Sequence, residues 1–135
     1  DELIDWFPKR HTKDEPVIAV GDFNIAPMEN DVWSHKQLLK VVSHTPGETD
    51  RLNKMRDDLG WTDVSRHFVA EDEPLFTWWS SRSPDWKKNN RGRRLDHIWA
   101  TQPLKDSLQG QNVLVEARDW EKPSDHVPVI ADFKF

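Results

Sequence analysis

Residues 17–27 read VIAVGDFNIAP: four apolar residues, a glycine, then an aspartate and an asparagine on either side of a phenylalanine. A short apolar run closed by turn residues predicts a strand over Val17–Val20. Both of its faces are apolar, which predicts a strand buried inside a layered α/β structure. Its polar tip has two readings. Gly, Asp and Asn favour turns for local backbone reasons, so Asp22 and Asn24 either close a turn or reach into an active site.

The remaining chain bounds the choice. With 135 residues, 36% of them apolar, it has material for one modest domain with a core. No apolar run approaches the roughly 18 residues of a membrane span, and the first residues carry no signal-peptide pattern. The absence of cysteine removes disulfides and thiolate metal sites together and predicts a reducing, cytoplasmic setting. Net charge is −5, which by itself argues against a nucleic-acid binder. The distribution argues for one. Residues 82–94 (RSPDWKKNNRGRR) hold six basic residues against Asp85 and carry +5, leaving −10 on the rest. A basic stripe on an acidic body suits a polyanion lying beside carboxylates that hold a cation. Eight tryptophans stand against no tyrosine, and Trp78, Trp79 and Trp86 fall in or beside the stripe, as stacking plus phosphate neutralisation requires. Trp33 and Trp61 are expected in the core.

The coarse pattern mixes helices and strands. DELIDWFPKR reads as the last turns of a helix, and Asn30 or Asp31 is positioned to cap a helix running to about Val42. A second helix follows TPGE, with Leu52, Met55 and Leu59 at helical spacing and Gly60 at its C-cap. Residues 61–70 read as a short irregular or helical turn. Later strands are expected over Leu75–Ser80, Arg94–Thr101 and Val127–Phe135, with a further one near Asn112–Ala117. Polar residues gather at the strand ends, where α/β proteins place their sites.

Three stretches share one form, an acidic residue beside a His or Asn at the edge of an apolar run. They are GDFN (Asp22, Asn24), RRLDHIWA (Asp96, His97) and KPSDHVPVI (Asp125, His126). Each alone is weak, since a lone His at a strand end is more often structural than catalytic. Together they point to one metal-dependent site. Mg²⁺ prefers carboxylate oxygen and needs only one or two protein carboxylates. Phosphodiester hydrolysis adds a base for water and donors for the transition state, and a His beside a carboxylate supplies a positioned, chargeable ring.

GDFN, followed by WW…NRGRRLDHI and then EKPSDHVPVIADF, resembles the exonuclease III type of abasic-site endonuclease, within the endonuclease/exonuclease/phosphatase superfamily. The likeness covers essentially the whole chain, and the last two stretches are more specific than GDFN. It implies half of a four-layer α/β sandwich of the deoxyribonuclease I type, a mixed β-sheet with flanking helices. Residues 1–135 would be the C-terminal half of that domain, and the complementary N-terminal half, with its principal metal-binding glutamate, would lie outside it.

Carried over by position, the resemblance implies Asp22 as general base, Asn24 and His126 on the scissile phosphate, and Asp96 orienting His126. Asp125 would sit at or near the Mg²⁺ (or Mn²⁺). Trp78 and Leu95 would wall the pocket for the base-less sugar, and Arg91 would lie on the DNA backbone. His97 has no implied catalytic role. Ser81 stands where the family usually has an aromatic residue. The implied substrate is double-stranded DNA with abasic sites or 3′ ends, cut in the bacterial cytoplasm at the nucleoid by a monomeric full-length protein, with this chain alone inactive. The alternatives are a superfamily cousin acting on inositol phosphate, lipid or RNA, and a catalytically incomplete DNA-binding fragment.

Overall fold

The computed structural model describes residues 2–135. β1 (Ile18–Asp22) pairs antiparallel with β3 (Asp96–Ala100), which pairs on its other edge with the two-residue β2 (Thr62–Asp63). β4 (Leu108–Val113) and β5 (Val129–Phe133) form a second antiparallel pair. Val64, Ala100, Leu104 and Leu108 form a buried cluster with Ala131 and Phe133 against it, which joins the two sheets. No helix is long and apolar enough to cross a membrane among the described residues.

Helix α1 (Glu2–Arg10) sets Ile4 and Phe7 against a core built largely by α3 (Pro46–Asp58). In α3 a capping box closes the N-terminus, with Thr45 Oγ1 accepting from Glu48 N and the Glu48 carboxylate accepting from Thr45 N. TPGE is therefore the start of the helix and not a turn before it. Leu52 and Met55 pack on Trp61 and Trp99, and Gly60 follows the helix with φ +62°. The short α4 (Val64–Phe68) continues directly from β2, capped by the Asp63 side chain.

The helix expected from Asn30 to Val42 is instead a 3-10 turn (Glu29–Asp31) and a four-residue α2 (His35–Leu38) with Ser34 as its cap. Asp31 does not cap a long helix, because two arginines hold its carboxylate in the interior. Residues 75–80 form isolated bridges and not a strand. Trp78 pairs with Arg93 on one side and His126 on the other, and Thr77 and Trp78 both donate to Arg93 O. The strand expected at Asn112–Ala117 lies earlier, as β4, and a 3-10 turn occupies Val115–Asp119. Trp61 is core as expected, whereas Trp33 is only partly buried.

β1 also departs from expectation. Val17 and Ala19 pack on the α3 core, but Ile18 and Val20 face outward, Val20 with 65% of its surface exposed. Alternation along the strand puts Asp22 on that same open face. Gly92 is needed for close approach, since a Cβ there would lie 2.6 Å from the Phe76 ring.

The Arg94 guanidinium is fully buried and forks to two carboxylates. It donates to Asp31 at 2.8 and 2.9 Å and to Asp63 at 2.8 Å twice. Arg66 completes the square on Asp31 at 2.7 Å. Two cations meet two anions, so the cluster is neutral overall. Burial alone would raise the Asp63 pKa, but the Arg94 charge and hydrogen bonds hold it below the ordinary carboxylate range. Burial, then the Arg94 charge, push the nearby His97 imidazole down to about 4.

Removing one partner of such a network leaves a buried charge alone, at a cost of about 3–5 kcal/mol. Arg94→Leu is expected to lose that much in urea denaturation. Acid acts in two steps. From about pH 6.5 down to 4 the unfolded chain takes up a proton at His97 that the fold refuses, and below about 3.9 Asp63 behaves likewise. Stability therefore falls as pH falls, and His97→Gln removes the upper step in urea titrations.

Candidate active site

The β1–β3 register builds the site. Asp22 at the end of β1 and Asp96 at the start of β3 are direct cross-strand partners, so their side chains emerge side by side. The next pair is Gly21 and His97, on the opposite face. Adjacent residues of the Leu95-Asp96-His97 stretch thus part company: Asp96 goes to the site and His97 to the interior. His126 arrives from the segment before β5, placed by its bridge to Trp78.

His126 Nδ1 lies 2.8 Å from Asp96 Oδ2, and His126 Nε2 lies 3.7 Å from Asp22 Oδ2. An ionised carboxylate only accepts, so Nδ1 carries the proton given to Asp96 and Nε2 faces Asp22. Burial opposes charge on the ring, but the Asp96 hydrogen bond and the surrounding carboxylates raise the His126 pKa above its ordinary value. Ligand atoms of Asp22, Asp96 and His126 all fall within 4.8 Å of one another, a group able to hold a cation. The two carboxylates fit a hard divalent ion that keeps several of its waters.

Asn24 adopts φ 54°, a left-handed conformation that Asn tolerates well. Its backbone N–H donates to Asp22 Oδ1 at 2.9 Å. With the amide nitrogen turned toward Asp22, the side chain adds two contacts of 3.3 Å to the same carboxylate. The tip of VIAVGDFN is therefore both a turn and part of the cluster.

Asp125 stands outside this three-residue group. Its Oδ2 accepts from Trp78 Nε1 at 2.9 Å. Burial would raise its pKa, but that indole bond and the His126 charge hold it below the ordinary carboxylate range. Trp78 and Leu95 do come together, in an apolar cluster with Ala26, Val32 and Leu38. Arg91 stacks over the Trp33 ring at 4.7 Å, and Arg93 over the Trp78 ring at 5.2 Å. These two Arg–Trp pairs line a cleft of about 250 Å³. The basic stripe is not wholly a surface feature, because Arg94 is buried in the ion network and Lys87 pairs with Asp119 at 3.4 Å.

Two site residues escape sequence reasoning. Thr77 Oγ1 donates to Asp96 Oδ2 at 2.7 Å while accepting from Leu95 N at 3.0 Å and Asp96 N at 3.2 Å. A threonine before two tryptophans carries no signal of that task. Arg93 reads as one more basic residue, yet its guanidinium is tied to Val42 O and Ser43 Oγ.

The chain belongs to the Endonuclease/Exonuclease/phosphatase family, whose pattern matches residues 1–126. It is 32% identical to exodeoxyribonuclease III of Haemophilus influenzae over 98% of its own length and 51% of that protein's. The solved AP endonuclease of Archaeoglobus fulgidus superposes with a TM-score of 0.93 at 29% identity, covering 98% of this chain and 51% of that one. A Neisseria 3′ phosphatase bound to a product DNA hairpin superposes with a TM-score of 0.84 at 28% identity, over 98% of this chain and 49% of its own. The chain thus spans about half the length of the relatives it matches.

Thr77→Val keeps the volume but strands two backbone N–H groups and leaves Asp96 Oδ2 with the His126 donor alone. Leaving such donors unsatisfied costs about 1–3 kcal/mol. Thermal unfolding of Thr77→Val beside Thr77→Ser tests this, with Ser expected to recover most of the stability that Val loses.

Proposed function

We propose that this chain supplies the C-terminal half of a divalent-metal-dependent deoxyribonuclease of the exonuclease III type, hydrolysing duplex DNA 5′ to abasic sites and from 3′ ends. The observation that carries the reading is the Asp22–His126–Asp96 arrangement, with contacts of 3.7 and 2.8 Å, at one end of the sheet that also presents the Trp78–Leu95 wall. The half-length match to exonuclease and AP endonuclease relatives supports it.

In this reading Asp22 takes the proton from the attacking water. It is the most exposed carboxylate of the cluster, and the Asn24 N–H bond fixes its orientation. Asp96, itself held by Thr77, locks His126 with its Nε2 outward. The raised pKa of that ring keeps a donor available for a phosphate oxygen as charge develops there. The Asn24 amide offers a second donor beside it. Asp96 would help hold a Mg²⁺ or Mn²⁺ ion with Asp125 at or near it, and the ion would neutralise phosphate and leaving-group charge while Asp22 stays free to take the proton. Trp78 and Leu95 would admit a bare deoxyribose and crowd out a complete nucleotide. Arg91 and the cation beside it on Trp78 would lie on the backbone phosphates.

The outward face of β1 supports pairing with a complementary N-terminal half. Ile18 and Val20 lie exposed beside Asp22, and a shallow depression lined by Val20, Asp22, Asp96, Val127 and Val129 opens there. Apolar surface of that kind marks an interaction site. The complete enzyme would act as a monomer in the cytoplasm, and the chain alone would be inactive.

Asp22→Asn in the complete protein removes the base while keeping shape. It is expected to lower kcat about 10²–10⁴-fold with little loss of DNA affinity. Assays on abasic duplex, 3′-ended duplex and inositol polyphosphate check both parts. Turnover of the inositol phosphate alone overturns the DNA reading, and a near wild-type rate in Asp22→Asn overturns the assignment of the base.

A further inference from the structure

The loop that follows Asp22 is held at five of its backbone polar groups. Phe23 N donates to Leu95 O at 2.9 Å, Asn24 N to Asp22 Oδ1 at 2.9 Å, and Ala26 N to Ser43 O at 2.8 Å. The two carbonyls after Asn24 are each met by an imidazole. His97 Nε2 lies 2.8 Å from Ile25 O, and His44 Nδ1 lies 2.7 Å from Ala26 O. Both rings are buried, His97 with 1% and His44 with 2% of their surface exposed.

A carbonyl can only accept, so each contact assigns a tautomer: His97 is protonated on Nε2 and His44 on Nδ1. The His44 assignment is reinforced from behind. His44 Nε2 lies 2.7 Å from His35 Nδ1, and with its proton already on Nδ1 a neutral His44 must accept there, so His35 donates. The far nitrogen of His35 faces Glu29 at 3.6 Å. A directed chain thus runs from the His35 ring through His44 to the loop carbonyl. On the other side the His97 ring stacks on Phe23, with centroids 5.3 Å apart and planes 18° from parallel. Phe23 sits between Asp22 and Asn24, so His97 grips the loop by ring and by hydrogen bond.

We propose that His97 and His44 are positioning residues for the candidate site. By donating to the consecutive carbonyls of Ile25 and Ala26, they hold the left-handed turn at Asn24 that aims Asp22 and the Asn24 amide at the substrate. Nothing in the tripeptide around either residue would separate this from an ordinary core histidine. What separates it is that two different elements, β3 and the turn before α3, converge on adjacent carbonyls of one short loop.

The two rings use opposite nitrogens, which makes the claim testable by a crossed rescue. Glutamine places an amide nitrogen near the position of Nε2, and asparagine near that of Nδ1. Four variants of the complete protein are compared: His97→Gln, His97→Asn, His44→Asn and His44→Gln. This test rests on the nuclease reading above. His97→Gln and His44→Asn are expected to keep kcat within about threefold of wild type. His97→Asn and His44→Gln are expected to lose about 10- to 100-fold in kcat with KM unchanged, the size of effect that small misplacement of a reacting group produces. Equal loss for both amides at each position, or a change confined to KM, overturns the proposal.

A second readout needs no turnover. In protein labelled with ¹⁵N-histidine, imidazole resonances are expected to show Nε2–H for His97 and Nδ1–H for His44, and amide exchange at Asn24 and Ala26 is expected to quicken only in His97→Asn and His44→Gln. The opposite tautomers, or unchanged exchange, overturn the clamp even in an active enzyme. The expected tautomers and exchange in a protein that cuts no DNA uphold the clamp and remove the nuclease reading instead.

Discussion

Arg94 is the constraint on which the rest depends. Its guanidinium ties the 3-10 turn at Asp31 to β2 at Asp63, and both to the segment that leads into β3. A planar fork with five donors meets two carboxylates in pairs, something a lysine could not do. The fork leaves no slack. Asp31 must lie where Arg94 reaches it, which is why the segment after Asn30 cannot run on as a long helix. The residue following Arg94 is Leu95, on the apolar wall with Trp78, and the next is Asp96. A buried ion network of modest net energy therefore acts as the datum from which the site is measured, although its desolvation cost makes it a poor source of stability.

Much of the plan was legible from residues alone. GDFN, LDH and SDH each mark the edge of an apolar run, and the structure does bring Asp22, Asp96 and His126 within a few ångströms. The strands β1, β3 and β5 and the helix α3 follow from apolar spacing, because burial on one face leaves a period in the sequence. The turn at Asp22 and Asn24 and their place beside His126 turn out to be compatible, since the Asn24 N–H closes a turn on the very carboxylate that faces His126.

What stayed hidden has a common cause. Arg94 and Arg93 look the same on paper as Arg91, yet one is buried, one is stacked and tied down, and one is exposed. Charge counting cannot tell a polyanion stripe from an ion pair whose partners, Asp31 and Asp63, lie 63 and 31 positions away. Thr77 is invisible for the same reason, since its task is defined by Asp96, 19 residues on. Residues 75–80 defeated the strand expectation because their hydrogen bonds go to isolated bridges on two sides, a tertiary arrangement with no local period.

The pairing of β1 with β3 carries one last consequence. Asp22 opposes Asp96 only because Ile18 opposes Ala100 at the far end of the ladder. There the Thr101 hydroxyl accepts from Val17 N and donates to Glu15 O, while Thr101 N donates to Val17 O. A slip of one residue would turn either aspartate to the opposite face. The spacing of two acids at one end of the sheet is thus gauged by a hydroxyl at the other, much as a ruler is read from its zero mark. The chemistry of this fold is written partly in a residue that never comes near it.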